Sequence, residues 1–78
     1  NITDVTIYPN PARDFVKLST VNSQQSTVRI YNAFGMLVDE IEFDSEEMEI
    51  NLSDYNSGIY FINIKSENGT IVKKIVKY

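Results

Sequence analysis

Residues 52–66 read LSDYNSGIYFINIKS, and the second half of this stretch decides the fold. Beyond Gly58, the apolar residues at positions 60, 62 and 64 recur at every second position, which is the period of a half-buried β-strand. Leu52 and Gly58 precede Tyr60 as they do at the corner of a β-sandwich, where a tyrosine hydroxyl bonds back to the backbone. The stretch therefore predicts a strand entered through a tyrosine corner, with Gly58 and Tyr60 as fold-determining residues.

Short runs rich in Val, Ile, Thr, Tyr and Phe occupy most of the remaining chain, and Asn, Gly, Ser and Pro separate them, as turns separate strands. In chain order, the predicted strands are Asp4–Tyr8, Phe15–Thr20, Ser26–Asn32, Met36–Phe43, Glu47–Leu52, Ile59–Ser66 and Thr70–Lys77. Seven short strands at this spacing predict an all-β fold, a seven-stranded antiparallel immunoglobulin-like β-sandwich. A meander barrel is the main alternative.

The fourth predicted strand breaks the alternation. Met36 and Val38 fall on one face, whereas Ile41 and Phe43 fall on the other. One extra residue in a strand moves all later side chains to the opposite face. A β-bulge near Asp39–Glu40 is therefore predicted, because it would return both pairs of side chains to one inward face.

Glycines mark two predicted turns. The segment Asn32–Gly35 is predicted to be a tight turn in which Gly35 adopts positive φ and helps to determine the fold. Asn68–Gly69 is predicted to be the centre of a type I′ hairpin turn, which needs positive φ at both central residues. The segment Ser53–Gly58 is expected to form the corner and to hold one short helical turn.

Length and composition narrow the class of protein. The chain has 78 residues, which suits one domain, and no cysteine for a disulfide. Hydrophobic residues make up 42%, which is enough for one compact core.

The net charge of −4 argues against nucleic acid as a partner. No apolar run approaches the roughly 20 residues that span a bilayer, so no direct membrane insertion is expected. We expect any signal peptide to belong to a longer parent chain.

Catalysis has few candidate residues in this composition. Histidine and cysteine are both absent, which removes Ser-His-Asp and Cys-His nucleophilic sites and the usual zinc sites. With three glycines, the chain has no glycine-rich phosphate loop. We therefore predict that the domain is not an enzyme and that it has no catalytic residues, no cofactor and no metal site.

The acidic segment Asp39–Glu49 could carry another kind of chemistry. Its carboxylates belong to Asp39, Glu40, Glu42, Asp44, Glu46, Glu47 and Glu49. Paired carboxylates can hydrolyse a glycoside, and carboxylates on a turn can coordinate Ca²⁺. The spacing matches no calcium loop, however, and most of these residues alternate with apolar ones, as the solvent face of a strand does. We therefore interpret them as solvated strand faces.

Two aromatic residues, Tyr31 and Phe61, are predicted to point away from the core. Exposed aromatic rings can stack on sugars or bases. Because β-strands favour Tyr and Phe, ordinary strand composition is the preferred interpretation of these two residues.

Four pieces of sequence stand in a diagnostic order. They are Tyr8-Pro9-Asn10-Pro11-Ala12, Val28-Arg29-Ile30-Tyr31-Asn32 followed by Gly35-Met36-Leu37-Val38, Ser57-Gly58-Ile59-Tyr60-Phe61-Ile62, and Lys73-Lys74-Ile75-Val76-Lys77. Over essentially its whole length the chain resembles the type A C-terminal sorting domain of the type IX secretion system of Bacteroidota, the Por secretion tail family. The middle pieces also occur in other bacterial immunoglobulin-like modules, whereas the Pro-Asn-Pro start and the basic–aliphatic end are more specific.

The resemblance implies a function and a set of partners. Residues 1–78 would form a single C-terminal sorting domain behind an N-terminal cargo domain on the same chain. The cargo would fold in the periplasm, the outer-membrane translocon would recognise the domain, and a sortase-like cysteine protease would remove it at the surface. The cargo would then be secreted or held at the cell surface.

The resemblance places translocon recognition at the two specific segments. Their residues are Pro9, Asn10, Pro11, Lys73, Lys74, Ile75, Val76 and Lys77. The prolines fix φ and stiffen a loop, although they also simply end an edge strand. The lysines can orient the domain at a charged receptor or keep an edge strand from aggregating.

The last predicted strand could also bind another strand along its edge. An edge strand can accept a strand from a translocon subunit, and unpaired sheet edges are expected to allow a weak homodimer. The alternative function is an immunoglobulin-like module that binds carbohydrate or protein.

Overall fold

The computed structural model describes residues 5–9, 11–20, 25–66 and 69–78. Its strands are β1 (Val5–Tyr8), β2 (Phe15–Thr20), β3 (Ser26–Asn32), β4 (Leu37–Phe43), β5 (Glu47–Asn51), β6 (Gly58–Ser66) and β7 (Gly69–Lys77). Where the predicted ends fall on described residues, they agree with these bounds to within one position; Asp4 lies outside the described residues. No helix long and apolar enough to cross a membrane occurs within those ranges.

The strands form two antiparallel sheets. One has three strands in the order β1-β2-β5, and the other has four in the order β4-β3-β6-β7. Because β2 pairs with β5 and β3 pairs with β6, strands that are distant in sequence are neighbours in both sheets. This arrangement confirms the immunoglobulin-like β-sandwich and rules out the meander barrel, in which each strand pairs with the next.

The core lies between the two sheets and follows the alternation of the strands. In β6 the side chains of Tyr60, Ile62 and Ile64 are buried, as the sequence predicts. In β7 the inward face carries Ile71 and Ile75. The buried apolar residues of the described chain are Val5, Ala12, Val16, Leu18, Val28, Ile30, Ile50, Leu52, Tyr60, Ile62, Ile64 and Ile75.

A tyrosine corner joins β5 to β6. The Tyr60 hydroxyl donates a hydrogen bond of 2.7 Å to the Asn56 carbonyl, and the rings of Tyr60 and Tyr55 lie 5.1 Å apart at 49°. The Tyr55 amide donates to the Leu52 carbonyl at 2.9 Å, so one hydrogen-bonded turn replaces the expected short helical turn. Gly58 enters β6 at φ +148°, which side chains rarely adopt. The predicted corner is therefore present.

A β-bulge interrupts β4. The β3–β4 register passes from Ile30 opposite Asp39 to Tyr31 opposite Leu37, which leaves Val38 as the extra residue. The bulge lies one residue before the predicted position, and it increases the local twist of the strand.

The expectation that Met36 and Val38 face inward is wrong. Met36 is 64% exposed and Val38 is 42% exposed, whereas Ile41 packs against the core. Met36 precedes the strand, and Val38 is the bulged residue, so neither follows the alternation of β4. The side chain of Phe43 lies outside the described part of the structure.

The two predicted glycine turns have different outcomes. In the β3–β4 turn, Gly35 adopts φ +82° and its amide donates to the Asn32 carbonyl at 3.0 Å, as predicted. In the β6–β7 hairpin, Gly69 pairs with Ser66, so Gly69 belongs to the strand and its predicted place at the turn centre is wrong. Asn68 lies outside the described residues.

Replacement of the corner tyrosine by phenylalanine tests the role of the hydroxyl. We expect Tyr60→Phe to lower the free energy of unfolding by about 1 kcal/mol, because the bond to the Asn56 carbonyl is lost while the ring is kept. Urea titration followed by circular dichroism measures the change. Tyr31→Phe removes the same atom from the opposite face of the sheet and should leave stability near that of the wild type. Equal stability of the two variants would contradict the role given to the corner.

Candidate functional site

The proline loop connects β1 to β2 at one end of the sandwich. Pro9 and Pro11 are exposed, and the peptide bond between Tyr8 and Pro9 is cis. Ala12, directly after the second proline, is completely buried. Asn10 lies outside the described residues. The loop therefore presents its prolines to solvent while its small apolar residue anchors it.

The anchor of this loop is the end of β7. The Ala12 amide donates to the Val76 carbonyl at 2.7 Å, and the Tyr78 amide donates to the Ala12 carbonyl at 2.9 Å. These bonds form a parallel bridge between Ala12 and Lys77, outside the regular strands. The proline loop and the basic tail, whose bridged residues Ala12 and Lys77 are 65 positions apart in sequence, thus form one structural unit. We call it the loop–tail junction (residues 9 and 11–14 with residues 73–78).

The loop also reaches the three-stranded sheet. The Asp14 carbonyl accepts a hydrogen bond of 2.7 Å from the Leu52 amide, where β5 leads into the tyrosine corner. Because Ala12 binds β7 and Asp14 binds this corner, the loop spans the gap between the two sheets. The junction is therefore held from both sides of the sandwich.

A cation–π contact covers the junction on the outside. The Arg13 guanidinium lies 5.3 Å from the centre of the Tyr78 ring. Both side chains are exposed, so the expected stabilisation is about 0.5–1 kcal/mol. Sequence reasoning gave Arg13 and Tyr78 no role, and it included Ala12 only as the last residue of the Pro-Asn-Pro piece.

The basic tail does not form one uniform face. Lys74 is exposed on the outer face of the four-stranded sheet, whereas Lys73 is half-buried on the inner side. Lys77 is only 9% exposed, and its Nζ donates to the Tyr78 carbonyl oxygen at 2.7 Å. Ile75 is a core residue at 1% exposure, and Val76 is half-buried. Of the predicted recognition residues in the tail, Lys74 is thus the most accessible.

Four separate segments meet at this end of the sandwich. The register places Asn32 at the end of β3 beside Tyr60 in β6, and Gly58 beside Lys77. The β3–β4 turn, the tyrosine corner, the proline loop and the tail therefore lie at the same end. All four pieces that the sequence analysis singles out contribute to it.

The acidic segment runs along the β4–β5 side. The Glu40 carboxylate accepts a hydrogen bond from Arg29 Nε, and this contact raises the pKa of the Arg29 guanidinium. Within the described residues, no group of three or more Asp, Glu, His and Cys side chains could hold a metal ion. Glu40 and Glu42 on β4 and Glu47 and Glu49 on β5 are exposed, as side chains on a solvated strand face are.

The predicted outward aromatic residues lie side by side. Tyr31 in β3 and Phe61 in β6 are direct register partners on the outer face of the four-stranded sheet. Leu37 in β4 and Lys74 in β7 extend the same row in either direction. The row is apolar along most of its width and ends in a positive charge.

Tyr55 is the one group in the corner with a strongly shifted pKa. Burial raises the pKa of its phenol from the ordinary 10.0 to about 12, and the negative charge of Asp39 adds to the effect. The buried hydroxyl has no hydrogen-bond partner among the described residues. The phenol therefore keeps its proton, because ionisation would place a negative charge in an apolar site.

Comparison with known protein families finds a match over most of the chain. A family model described as "Secretion system C-terminal sorting domain" matches residues 6–78.

Curated relatives share the domain as a small part of a longer chain. The protein is 38% identical over 72 residues to beta-agarase A from Zobellia galactanivorans, a match that covers 91% of this chain and 13% of that one. It is 32% identical over 71 residues to an ulvan lyase from Nonlabens ulvanivorans, covering 90% and 13%. An endo-acting ulvan lyase from Formosa agariphila is 32% identical over 66 residues, covering 83% and 13%. The chain thus spans 13% of the length of each of these enzymes.

Solved structures share the fold. Part of PorZ, a surface component of the type IX secretion system of Porphyromonas gingivalis, matches with a TM-score of 0.78 and 21% identity over 95% of this chain and 11% of PorZ. A DUF3244 family protein with an immunoglobulin-like β-sandwich from Bacteroides vulgatus matches with a TM-score of 0.81 and 18% identity, covering 95% of this chain and 84% of that one. At these identities the likeness shows the fold alone.

Enlarging the buried alanine should loosen the loop–tail junction. We expect Ala12→Leu to lower the free energy of unfolding by about 1–3 kcal/mol, because Ala12 is completely buried and a larger side chain would overpack the core. Hydrogen exchange of the Tyr78 amide, which donates to the Ala12 carbonyl, should become faster. Ala33→Leu makes the same change at an exposed turn residue and should leave both quantities unchanged. Slow exchange at Tyr78 in the Ala12 variant would contradict the junction.

The stability of the fold at alkaline pH should depend on the buried Tyr55 phenol. In the unfolded chain this phenol ionises near pH 10, whereas the folded protein holds the proton to about 12. The stability that depends on Tyr55 is therefore complete below pH 10 and is lost as the pH rises toward 12. We expect Tyr55→Phe to lose less unfolding free energy over this range than the wild type.

Urea titrations between pH 8 and 12, about two units either side of the ordinary phenol pKa, measure this difference. Other ionisable groups titrate in both proteins and cancel in the comparison. At neutral pH the variant should be as stable as the wild type or more so, since it lacks a buried hydroxyl without a partner. Tyr78→Phe, which removes an exposed phenol, serves as the control. Parallel pH profiles for the wild type and the Tyr55 variant would refute the assignment.

Proposed function

The chain belongs to the family of C-terminal sorting domains of the type IX secretion system, and we propose that it acts as a folded export label for a cargo protein. In this proposal, residues 1–78 follow an N-terminal cargo domain on the same chain. The outer-membrane translocon binds the folded domain after the cargo has reached the periplasm. The cargo then becomes secreted or remains at the cell surface.

The observation that carries this proposal is the loop–tail junction. The two segments most specific to the sorting family, one near each end of the chain, are joined by the backbone bonds of Ala12 to Val76 and Tyr78. A partner that binds this end of the sandwich contacts both segments at once. Recognition would therefore require the folded domain and would reject an unfolded cargo tail.

Charge supports an oriented encounter with the translocon. Three of the seven basic residues, Lys73, Lys74 and Lys77, lie in the last six positions, while seven of the eleven acidic residues lie between the start of β4 and the end of β5. Such a charge separation can orient a domain as it approaches an oppositely charged receptor. Lys74, exposed on the outer face, is the residue best placed for this contact.

Removal of the label by a sortase-like cysteine protease is the second part of the proposal. β1 begins at Val5 and pairs with β2 along its length, so the backbone of that strand is protected within the sheet. Proteases cut extended, accessible backbone more readily than paired strands. The proposed cleavage therefore lies on the cargo side of Val5. The domain itself contributes a substrate, with no catalytic residue and no cofactor.

A second candidate function is a binding module for carbohydrate or protein. The pairing of Tyr31 with Phe61 on the outer face favours it, because aromatic rings side by side can form a stacking platform. A binding module does not by itself account for the loop–tail junction, which is why the export label is the preferred function.

A fusion experiment tests the export label. We expect an exported reporter that carries this domain at its C-terminus to reach the surface of a type IX-competent bacterium. Deletion of the whole tail would also remove the core residue Ile75, so charge reversal is the sharper change. A fusion with both Lys73→Glu and Lys74→Glu should stay in the periplasm. Cell fractionation and protease accessibility on intact cells measure the distribution.

The matched control reverses two lysines that are not part of the junction, Lys17 in β2 and Lys65 in β6. Lys17→Glu with Lys65→Glu changes the net charge by the same amount and should still reach the surface. Equal export of the tail variant and the wild type would exclude the tail lysines from recognition. Retention of both variants would assign the effect to net charge.

A further inference from the structure

The turn between β3 and β4 exposes large apolar side chains that the fold does not use. Phe34 is 89% exposed and Met36 is 64% exposed, and Leu37 follows at 53%. Phe34 thus leaves most of its ring in water, although burial of an aromatic side chain is strongly favourable. Exposed apolar residues that are contiguous often mark a surface that binds another molecule.

This turn is rigid. The Asn32 side-chain oxygen accepts hydrogen bonds from the amides of Phe34, at 2.9 Å, and Met36, at 3.0 Å. The Asn32 amide donates to the Met36 carbonyl at 3.0 Å, and the Gly35 amide donates to the Asn32 carbonyl at the same distance. Because the backbone is already fixed, little conformational freedom of the turn would be lost when the Phe34 side chain binds a partner.

The exposed apolar surface continues from the turn across the sheet. Leu37 is beside Tyr31, which is beside Phe61, in one row on the outer face of the four-stranded sheet. Lys74 ends this row on β7, in the strand of the loop–tail junction. The turn joins β3 to β4, which are two and three strand spacings from β7, so the turn and the tail are separated by about 10–14 Å, within the footprint of one protein partner.

Carboxylates beside the β3–β4 turn limit the kind of partner surface that can bind there. Asp39, Glu40 and Glu42 are exposed on β4 directly after the apolar residues. Because Glu40 is paired with Arg29, the net negative charge beside the turn comes from Asp39 and Glu42. An anionic membrane surface would be repelled by them, whereas a protein pocket with basic residues at its rim would be attracted. A single protruding aromatic side chain fits a pocket better than a flat surface.

We propose that Phe34 is an anchor residue that inserts into an apolar, basic-rimmed pocket on the translocon protein that reads this label. The turn then provides the apolar part of the contact, and the loop–tail junction provides the polar part at the same end of the sandwich. This inference rests on the proposed function, and it adds a contact that is remote in sequence from both the proline loop and the basic tail.

The test compares substitutions at two adjacent positions of the turn in the reporter fusion. Phe34→Ser should lower the amount of reporter at the surface by about tenfold or more, as loss of an anchoring aromatic residue does. Ala33→Ser introduces the same side chain at the neighbouring exposed position and should be exported like the wild type. Phe34→Leu keeps an apolar side chain and should restore most of the export. The purified variants should unfold at the same urea concentration as the wild type, which excludes misfolding.

Each other outcome overturns the inference in a distinguishable way. A wild-type fusion that stays in the periplasm overturns the proposed function and this inference with it. Export of the wild type together with equal export of Phe34→Ser overturns the inference alone. Binding of the purified domain to lipopolysaccharide vesicles, lost in Phe34→Ser, would assign the turn to a lipid surface. A dimer of the purified domain, lost in the same variant, would assign it to a second copy of the chain.

Discussion

The two backbone hydrogen bonds of Ala12 to the end of β7 are the constraint on which the arrangement of this end depends. A sandwich of this size has two small sheets and no disulfide to hold them, so packing and hydrogen bonds must do so. Ala12 binds Val76 and Tyr78 on one side, and Asp14 accepts a bond from Leu52 on the other. The proline loop thereby ties both sheets together and covers part of an edge strand, where an exposed ladder would otherwise invite aggregation.

This arrangement makes recognition and folding inseparable. Ile75 is in the core, and Lys77 is nearly buried beside the loop, so the tail is a strand of the sandwich. A partner that reads it must read a surface that exists only in the folded domain. In the proposed function, this coupling would allow the translocon to act on the shape of a finished domain, with the exposed Lys74 as a charged feature of that surface.

The apolar side chains of the β3–β4 turn are exposed, unlike those of the core. Inside the sandwich, apolar side chains stabilise the fold because they leave water. Phe34 and Met36 leave water only if something else covers them, while the Asn32 bonds hold them in place. Rigid display of apolar surface is costly for solubility, and the proposed interaction would account for its presence. The carboxylates on β4 then limit the partner by charge.

The sequence by itself determined the strands, the tyrosine corner at Gly58 and Tyr60, and the Gly35 turn. Each of these features has a local sequence pattern, because buried residues of a strand recur at every second position and positive φ favours glycine. It also named the proline and lysine segments through their resemblance to a family. It did not indicate that Ala12 joins them, because backbone hydrogen bonds between distant segments leave no side-chain pattern.

Only the tertiary structure decided which strands pair and which face of the last strand is inward. Apolar residues stand at both parities in β7, so the alternation alone permits either face, and pairing with β6 selects Ile71 and Ile75. The place of the bulge at Val38 is likewise set by the register with β3. Local periodicity records that a side chain is buried, whereas the neighbour it is buried against depends on the packing of the whole chain.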